Sequence, residues 1–177
     1  MREPLILMKG DNRPGTRQKT TDRIADLVRA ATVARPVKAV IAHEDCDDTE
    51  PAHETLAATI EAELTAAGVP NPIAATPAWE IEAWWMLFPE ALRATRSCWA
   101  TVDHAGRDVG RIQHAKDQLR RQLRPVTAQA RARCPDYAES DGIKIAAAIH
   151  ALDQIDKERG QSASFAAFKA KIRTLAL

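Results

Sequence analysis

Between Ala39 and Leu92 the chain carries eleven Asp or Glu and no Lys or Arg. Within that run the apolar stretch Ala39-Val-Ile-Ala42 ends abruptly in His43-Glu-Asp-Cys-Asp-Asp48, and a second acidic pair lies in Trp79-Glu-Ile-Glu-Ala-Trp-Trp85. Carboxylates delivered at the end of a strand are hard oxygen donors suited to Mg²⁺ or Mn²⁺, and Mg²⁺ usually takes only one or two of them beside water and phosphate. In open α/β sheets the ligand site lies at those carboxyl ends. Asp45, Asp47, Asp48 and Glu82 are therefore the candidate metal ligands. The competing reading is that Asp47, Asp48 and Glu50 serve the positive end of a helix starting at Pro51. Both readings stand at this point. His43-x-x-Cys46 with His53 lacks the second ligand pair that zinc spacing needs, and the neighbouring carboxylates favour harder ions. No Ser-His-Asp elbow, Walker loop or dinucleotide fingerprint is present.

The elements that must position these residues follow from hydrophobic period and turn residues. Pro4-Leu-Ile-Leu-Met8 reads as a buried strand, closed by Gly10 and the turn formers Asp11 to Gly15. Ile24, Leu27, Val28 and Ala31 make one face of a helix over about Thr21 to Ala34. Val37 to Ala42 is the next strand. A helix runs from Pro51 through Leu56, Ile60 and Leu64 to a stop at Gly68, and Ile73 to Thr76 is a further strand. This alternation predicts a parallel sheet of at least three strands. It puts the two acidic segments on one rim, close enough for Asp45 or Asp47 to share an ion with Glu82. Pro77 opens a helix with Ile81, Trp84, Trp85 and Phe88 on one face, ended by Pro89, and the two Trp read as core anchors. On that helix Glu82 points away from the apolar face, beside Trp79 and Met86, where desolvation raises a carboxyl pKa unless a cation compensates. From Arg93 the pattern is helical: a basic helix over 107–124, one from Gly142 to about Asp156, and one from Ser162 to Leu175.

The 177 residues carry a net charge of +1 and suit one domain. That domain divides into an α/β part over 1–92 and a helical part over 93–177 packed on it. Residues 1–38 hold nine basic against four acidic side chains, and 93–177 hold sixteen against nine. Such a basic–acidic–basic order suits a metal-binding patch beside a phosphate-binding one, although folded surfaces also mix charges. Lys144, Arg120 and Arg121 are the candidate contacts to a DNA or RNA backbone. Cys46, Cys98 and Cys134 are odd in number and widely spaced, which argues against a disulfide framework and for a reducing cytoplasm. Cys98 and Cys134 read as buried thiols. No apolar run approaches a membrane span, and no signal peptide opens the chain.

The run from Trp79 to Leu92, Trp-Glu-Ile-Glu-Ala-Trp-Trp-Met-Leu-Phe-Pro-Glu-Ala-Leu, resembles the R-E-F/Y-E-A-W-F-L-x-D-P-E-A-L stretch of a TOPRIM-like family of bacterial proteins. Members are often encoded beside ABC-type or OLD-type ATPases in defence contexts. The upstream strand ending in acids is similar to that family's V-D-x-D strand. Tyr137, Asp141-Gly142, Ile145-Ala146, Ile155-Asp156, Ser164-Phe165 and Phe168 look like its C-terminal pattern. The likeness spans about residues 37–175. It implies a small parallel TOPRIM-like sheet flanked by helices, with Glu82 as the Glu of the E-A-W motif. The family's first strand-end Asp falls on His43, so the acidic pair is His43/Asp45 or Asp45/Asp47. A TOPRIM domain usually opens with a strand ending in Glu-Gly, whereas here Lys9 precedes Gly10. This departure implies a degenerate site, a site completed by a neighbouring chain, or a start recorded too late. The resemblance implies one of two functions: a Mg²⁺-dependent nuclease subunit of a defence system, with Asp45, Asp47 and Glu82 as the catalytic groups of a site where a bound ion would activate water for phosphodiester cleavage, or a non-catalytic regulatory partner of an ATPase.

Overall fold

The computed structural model describes residues 16–175. The expected strand Pro4–Met8 and Lys9-Gly10 lie outside them. The first described element, α1 (Thr16–Ala34), turns Thr21, Ala25 and Val28 inward, a spacing of one helical face. Strand β1 (Val40–His43) follows, then α2 (Ala52–Ala66) and β2 (Pro72–Ala75). β1 and β2 pair in parallel, from Val40 opposite Pro72 to His43 opposite Ala75. The described residues thus hold two strands of the three expected. Gly68, at φ +79°, ends α2 in the left-handed region that favours glycine, letting Val69 N–H reach back to the Leu64 carbonyl (3.0 Å). Ala25 and Val28 pack with Ala57, Ile60, Leu64, Val69 and Ala74 as one core under this unit.

The chain then becomes helical, as expected, with boundaries that differ in instructive ways. Helix α3 (Ile81–Trp85) is short, and Pro89 begins a new helix, α4 (Pro89–Thr95), instead of only ending the old one. Proline fits that first position because its missing N–H would have no helical partner there. The basic segment 107–124 is two pieces, a 3₁₀ turn (Val109–Arg111) and α5 (Ala115–Leu123), separated where His114 sits at φ +50°. A single turn, α6 (Ala128–Arg131), and a second 3₁₀ turn (Glu139–Asp141) lead to α7 (Gly142–Ala151) and α8 (Ala163–Leu175). The helix from Gly142 stops short of Asp156, and Asp153 at φ +51° lies in the connection that follows.

A second and larger core joins these helices around Met86, Leu87, Phe88, Leu92, Val109, Leu119, Leu123 and Ile145. Trp84 is buried there, edge-on to Phe165 (5.4 Å between centroids) and stacked on Phe168 (5.2 Å). It is a core anchor, and its indole N–H donates to Ser164 Oγ (3.0 Å). Helix α8 also returns to contact β2, joining the helical part to the sheet.

Cys98 and Cys134, expected as separate thiols, form a disulfide with Cα atoms 5.9 Å apart. Cys46 is free. Pairing across 36 residues cannot be deduced from spacing, because it depends on how α5 and α6 bring the chain back. No described helix is long and apolar enough to cross a membrane.

Candidate functional site

The acidic segments do meet on one rim. Beyond the strands, the backbone of the first runs along the segment that leads to the second. Glu44 N–H donates to the Ala75 carbonyl (3.2 Å), Cys46 to Pro77 (3.0 Å), Asp47 to Trp79 (3.2 Å) and Asp48 to Ala78 (3.1 Å). Asp47 takes φ +54°, a conformation that Asp tolerates better than most residues.

Once there, the carboxylates turn to different partners. Asp45 Oδ1 accepts from Ile81 N–H (3.0 Å), the first residue of α3, and lies 3.1 Å from His43 Nε2. Glu82, one residue further along, turns inward instead. It is 3% exposed, and its Oε1 accepts from the Tyr137 hydroxyl (2.8 Å). Burial pushes the Glu82 carboxyl above its usual range, and the Tyr137 bond only partly opposes that. Tyr137 is pushed up too, by burial and by the Glu82 charge. Asp48 Oδ1 accepts from its neighbour Thr49 N–H (2.7 Å), and Asp47 is exposed. Among the described residues no group of three or more His, Cys, Asp or Glu side chains is placed to hold a metal ion. As arranged, Asp45, Asp47, Asp48 and Glu82 do not form one donor set.

Other acids of the same run reach much further. Glu50 does not cap α2, which has no side-chain cap; it caps α8 from across the molecule. Its carboxylate accepts from Ser162 Oγ (2.8 Å), Ala163 N–H (2.9 Å) and Ser164 N–H (2.8 Å). Burial alone would raise its pKa, yet these donors hold it below the usual carboxylate value. Gly110 lies against it so closely that an added Cβ would overlap the Glu50 carboxyl. Glu80 Oε2 accepts from Lys116 N–H (2.8 Å) at the start of α5, with Lys116 Nζ 3.6 Å from Oε1. The Lys116 ammonium also donates to Glu139 (3.0 Å), which raises its pKa. Glu61 Oε1 accepts from Ala74 N–H (2.9 Å) in β2, and both its oxygens hold Lys171 of α8 (2.6 and 2.8 Å). Asp45, Glu50 and Glu80 thus occupy the positive ends of α3, α8 and α5, where orphan N–H groups favour negative charge.

The expected nucleic-acid residues lie on two helices, α5 and α7. Lys144 is exposed on α7 with Nζ 3.7 Å from Asp141, Arg120 is held near Asp117 (3.6 Å) and the Tyr137 carbonyl (3.5 Å), and Arg121 is exposed on α5. Sequence reasoning missed Glu50, Glu80, Lys116, Ser162 and Lys171 as anchors. Ser162 just before an apolar helix is a readable cap signal. A Glu more than a hundred residues away is not, since only the fold brings Glu50 to Ser162.

The fold and rim define an α/β protein whose small parallel sheet is enclosed by helices and tied to them by carboxylates. Compared with family models, curated proteins and solved structures, the chain matches none.

Proposed function

We propose that this protein is a TOPRIM-like regulatory or interaction subunit that works beside an ATPase of the ABC or OLD type, and is not a self-sufficient nuclease. The observation that carries the reading is the commitment of the rim carboxylates: Asp45 to Ile81, Glu50 to α8, Glu80 to α5 and Glu82 to Tyr137. A catalytic Mg²⁺ site needs acceptor oxygens left open toward water and substrate. The resemblance around Trp79–Leu92 supplies the class of partner. Lys9, in place of the acid expected before Gly10, points the same way.

The second reading, a Mg²⁺- or Mn²⁺-dependent nuclease, draws on the exposed Asp47 and Asp48 at the end of β1. Calorimetric titration with Mg²⁺ and Mn²⁺ separates the two. A cleavage assay completes the test, using single- and double-stranded DNA and RNA, with the chain alone and with an ABC- or OLD-type ATPase from the same genome. The expected result is no saturable ion binding that depends on Asp45, no cleavage by the chain alone, and co-purification with the ATPase. Asp45→Asn then changes little, because Asn Oδ1 still accepts from Ile81 N–H. Cleavage by the chain alone that Asp45→Asn abolishes would establish the nuclease instead.

A further inference from the structure

The Cys98–Cys134 bond closes a covalent loop around α5 and α6, and part of that loop is a flap lying wholly at the surface. From Val126 to Arg133 no side chain is buried, and Val126 is 85% exposed. The bonds inside the flap are local. Thr127 Oγ1 accepts from Ala130 N–H (3.2 Å), and Arg131 donates to the carbonyls of Pro125 (2.8 Å) and Val126 (2.7 Å). At its far end the flap is tied to the body by the disulfide, by Trp99 Nε1 donating to the Pro135 carbonyl (3.0 Å), and by the exposed Arg124–Asp136 pair. Exposed ion pairs hold little. The covalent bond, beside the burial of Cys134 and Tyr137 that follow the flap, is therefore what restrains a segment with almost no packing of its own.

The two sulfur-bearing residues differ in exposure. Cys134 is buried (7%), whereas Cys98 is exposed in the turn after α4. An incoming thiolate therefore meets Cys98 first. The third cysteine, Cys46, competes poorly, because burial and Asp48 push its thiol up and leave it protonated.

We propose that Cys98–Cys134 is a reversible redox clip that pins the Val126–Arg133 flap when closed and releases it when a small thiol opens the bond. The thiolate of glutathione attacks the Cys98 sulfur, forming a mixed disulfide and expelling the Cys134 sulfur as a thiolate that takes up a proton. A second glutathione thiolate displaces Cys98, so two electrons pass to the protein sulfurs and one molecule of oxidised glutathione leaves. Oxidised glutathione drives the same exchange backward. Tyr137, three residues past Cys134, donates to Glu82, so opening the clip also loosens the segment that supplies the partner of the buried carboxyl.

The test is limited trypsin digestion of the native full-length protein in reduced or oxidised glutathione, read by mass spectrometry with alkylation to count thiols. In the reduced state, cleavage after Arg131 and Arg133 is expected to rise on the order of tenfold, and reoxidation restores the slow rate. The Cys98→Ser/Cys134→Ser variant is expected to cut quickly in both buffers. Should that variant fail to fold, the wild-type comparison decides alone. A bond that excess reduced glutathione leaves closed in the folded protein overturns the proposal, as does equal cleavage in the two states.

Discussion

Removing the Tyr137 hydroxyl isolates the least ordinary interaction in the molecule. Glu82 is a 3% exposed carboxyl with one hydroxyl partner at 2.8 Å, raised in pKa by burial. Because its folded pKa lies above the unfolded one, the native state binds the proton more tightly, and the stability it contributes is fully present below the unfolded value of 4.5. That contribution is lost as pH rises through the folded pKa. Tyr137→Phe keeps the ring and deletes the donor. A lost hydrogen bond to a buried carboxylate costs about 2 kcal/mol, which for a domain of this size lowers Tm by roughly 4–8 °C. The loss should be largest at pH 8, where the carboxyl must ionise without its donor, and smallest below pH 4.5, where it is protonated. Glu82→Gln acts in the opposite sense. It removes the ionisable group while its amide oxygen still accepts from Tyr137, so it should gain stability relative to wild type at pH 8 and little at low pH. Thermal unfolding by circular dichroism across this range checks both, as variant-minus-wild-type differences, which cancel the titration of other groups. If Glu82→Gln destabilises more at pH 8 than at pH 4.5, the Glu82 charge is net stabilised by Lys116 and the desolvation reasoning fails.

Three further outcomes follow from the carboxylate anchors. Glu50→Ala should cost roughly 3 kcal/mol at pH 7 in urea unfolding, since several donors at the start of α8 lose a charged acceptor; because the folded Glu50 pKa is depressed, this contribution is present above the unfolded value of 4.5 and lost as pH falls through the folded one. Gly110→Ala should cost about 1–3 kcal/mol by driving its new methyl into the Glu50 carboxyl, and the Glu50→Ala/Gly110→Ala pair should cost less than the sum. Arg96→Met should cost about 3 kcal/mol, because Asp141 is 2% exposed and relies on Arg96 at 2.7 Å, with only Lys144 and Ala138 N–H left to help; adding Asp141→Asn should recover part of that loss.

The α/β alternation from Val37 to Thr76 was legible because a parallel strand pair with a helical crossover imposes strong local periods, and the observed strands fall within a few residues of expectation. The raised Glu82 pKa was legible too: its expected position beside Trp79 and Met86 implied desolvation, and it is buried with a raised pKa. The breaks at His114 and Asp153 were not, since neither residue is Gly or Pro, the types that most plainly punctuate a helix in sequence. The disulfide was hidden for a different reason. Its two cysteines flank a loop whose path depends on α5 packing through Leu119 and Leu123.

The charge order of the chain also reads differently once folded. A purely acidic middle between basic flanks suggested two patches facing outward, one for an ion and one for phosphate. In the fold much of that complementarity is spent within the molecule: Glu80 holds Lys116, Glu61 holds Lys171, and Glu50 and Asp45 take the N-terminal ends of α8 and α3. The acidic run lies between β1 and α4, so it borders the helices that follow, and Glu50, Glu61 and Glu80 each meet a cation or a helix start from the later half. A long-range acceptor of this kind orders two elements at once, because the same oxygen satisfies a donor that would otherwise be orphaned. The charge asymmetry in the sequence is thus first an instruction for assembling the helical half on the sheet. An ion or a polyanion would have to compete with those internal partners for the same groups.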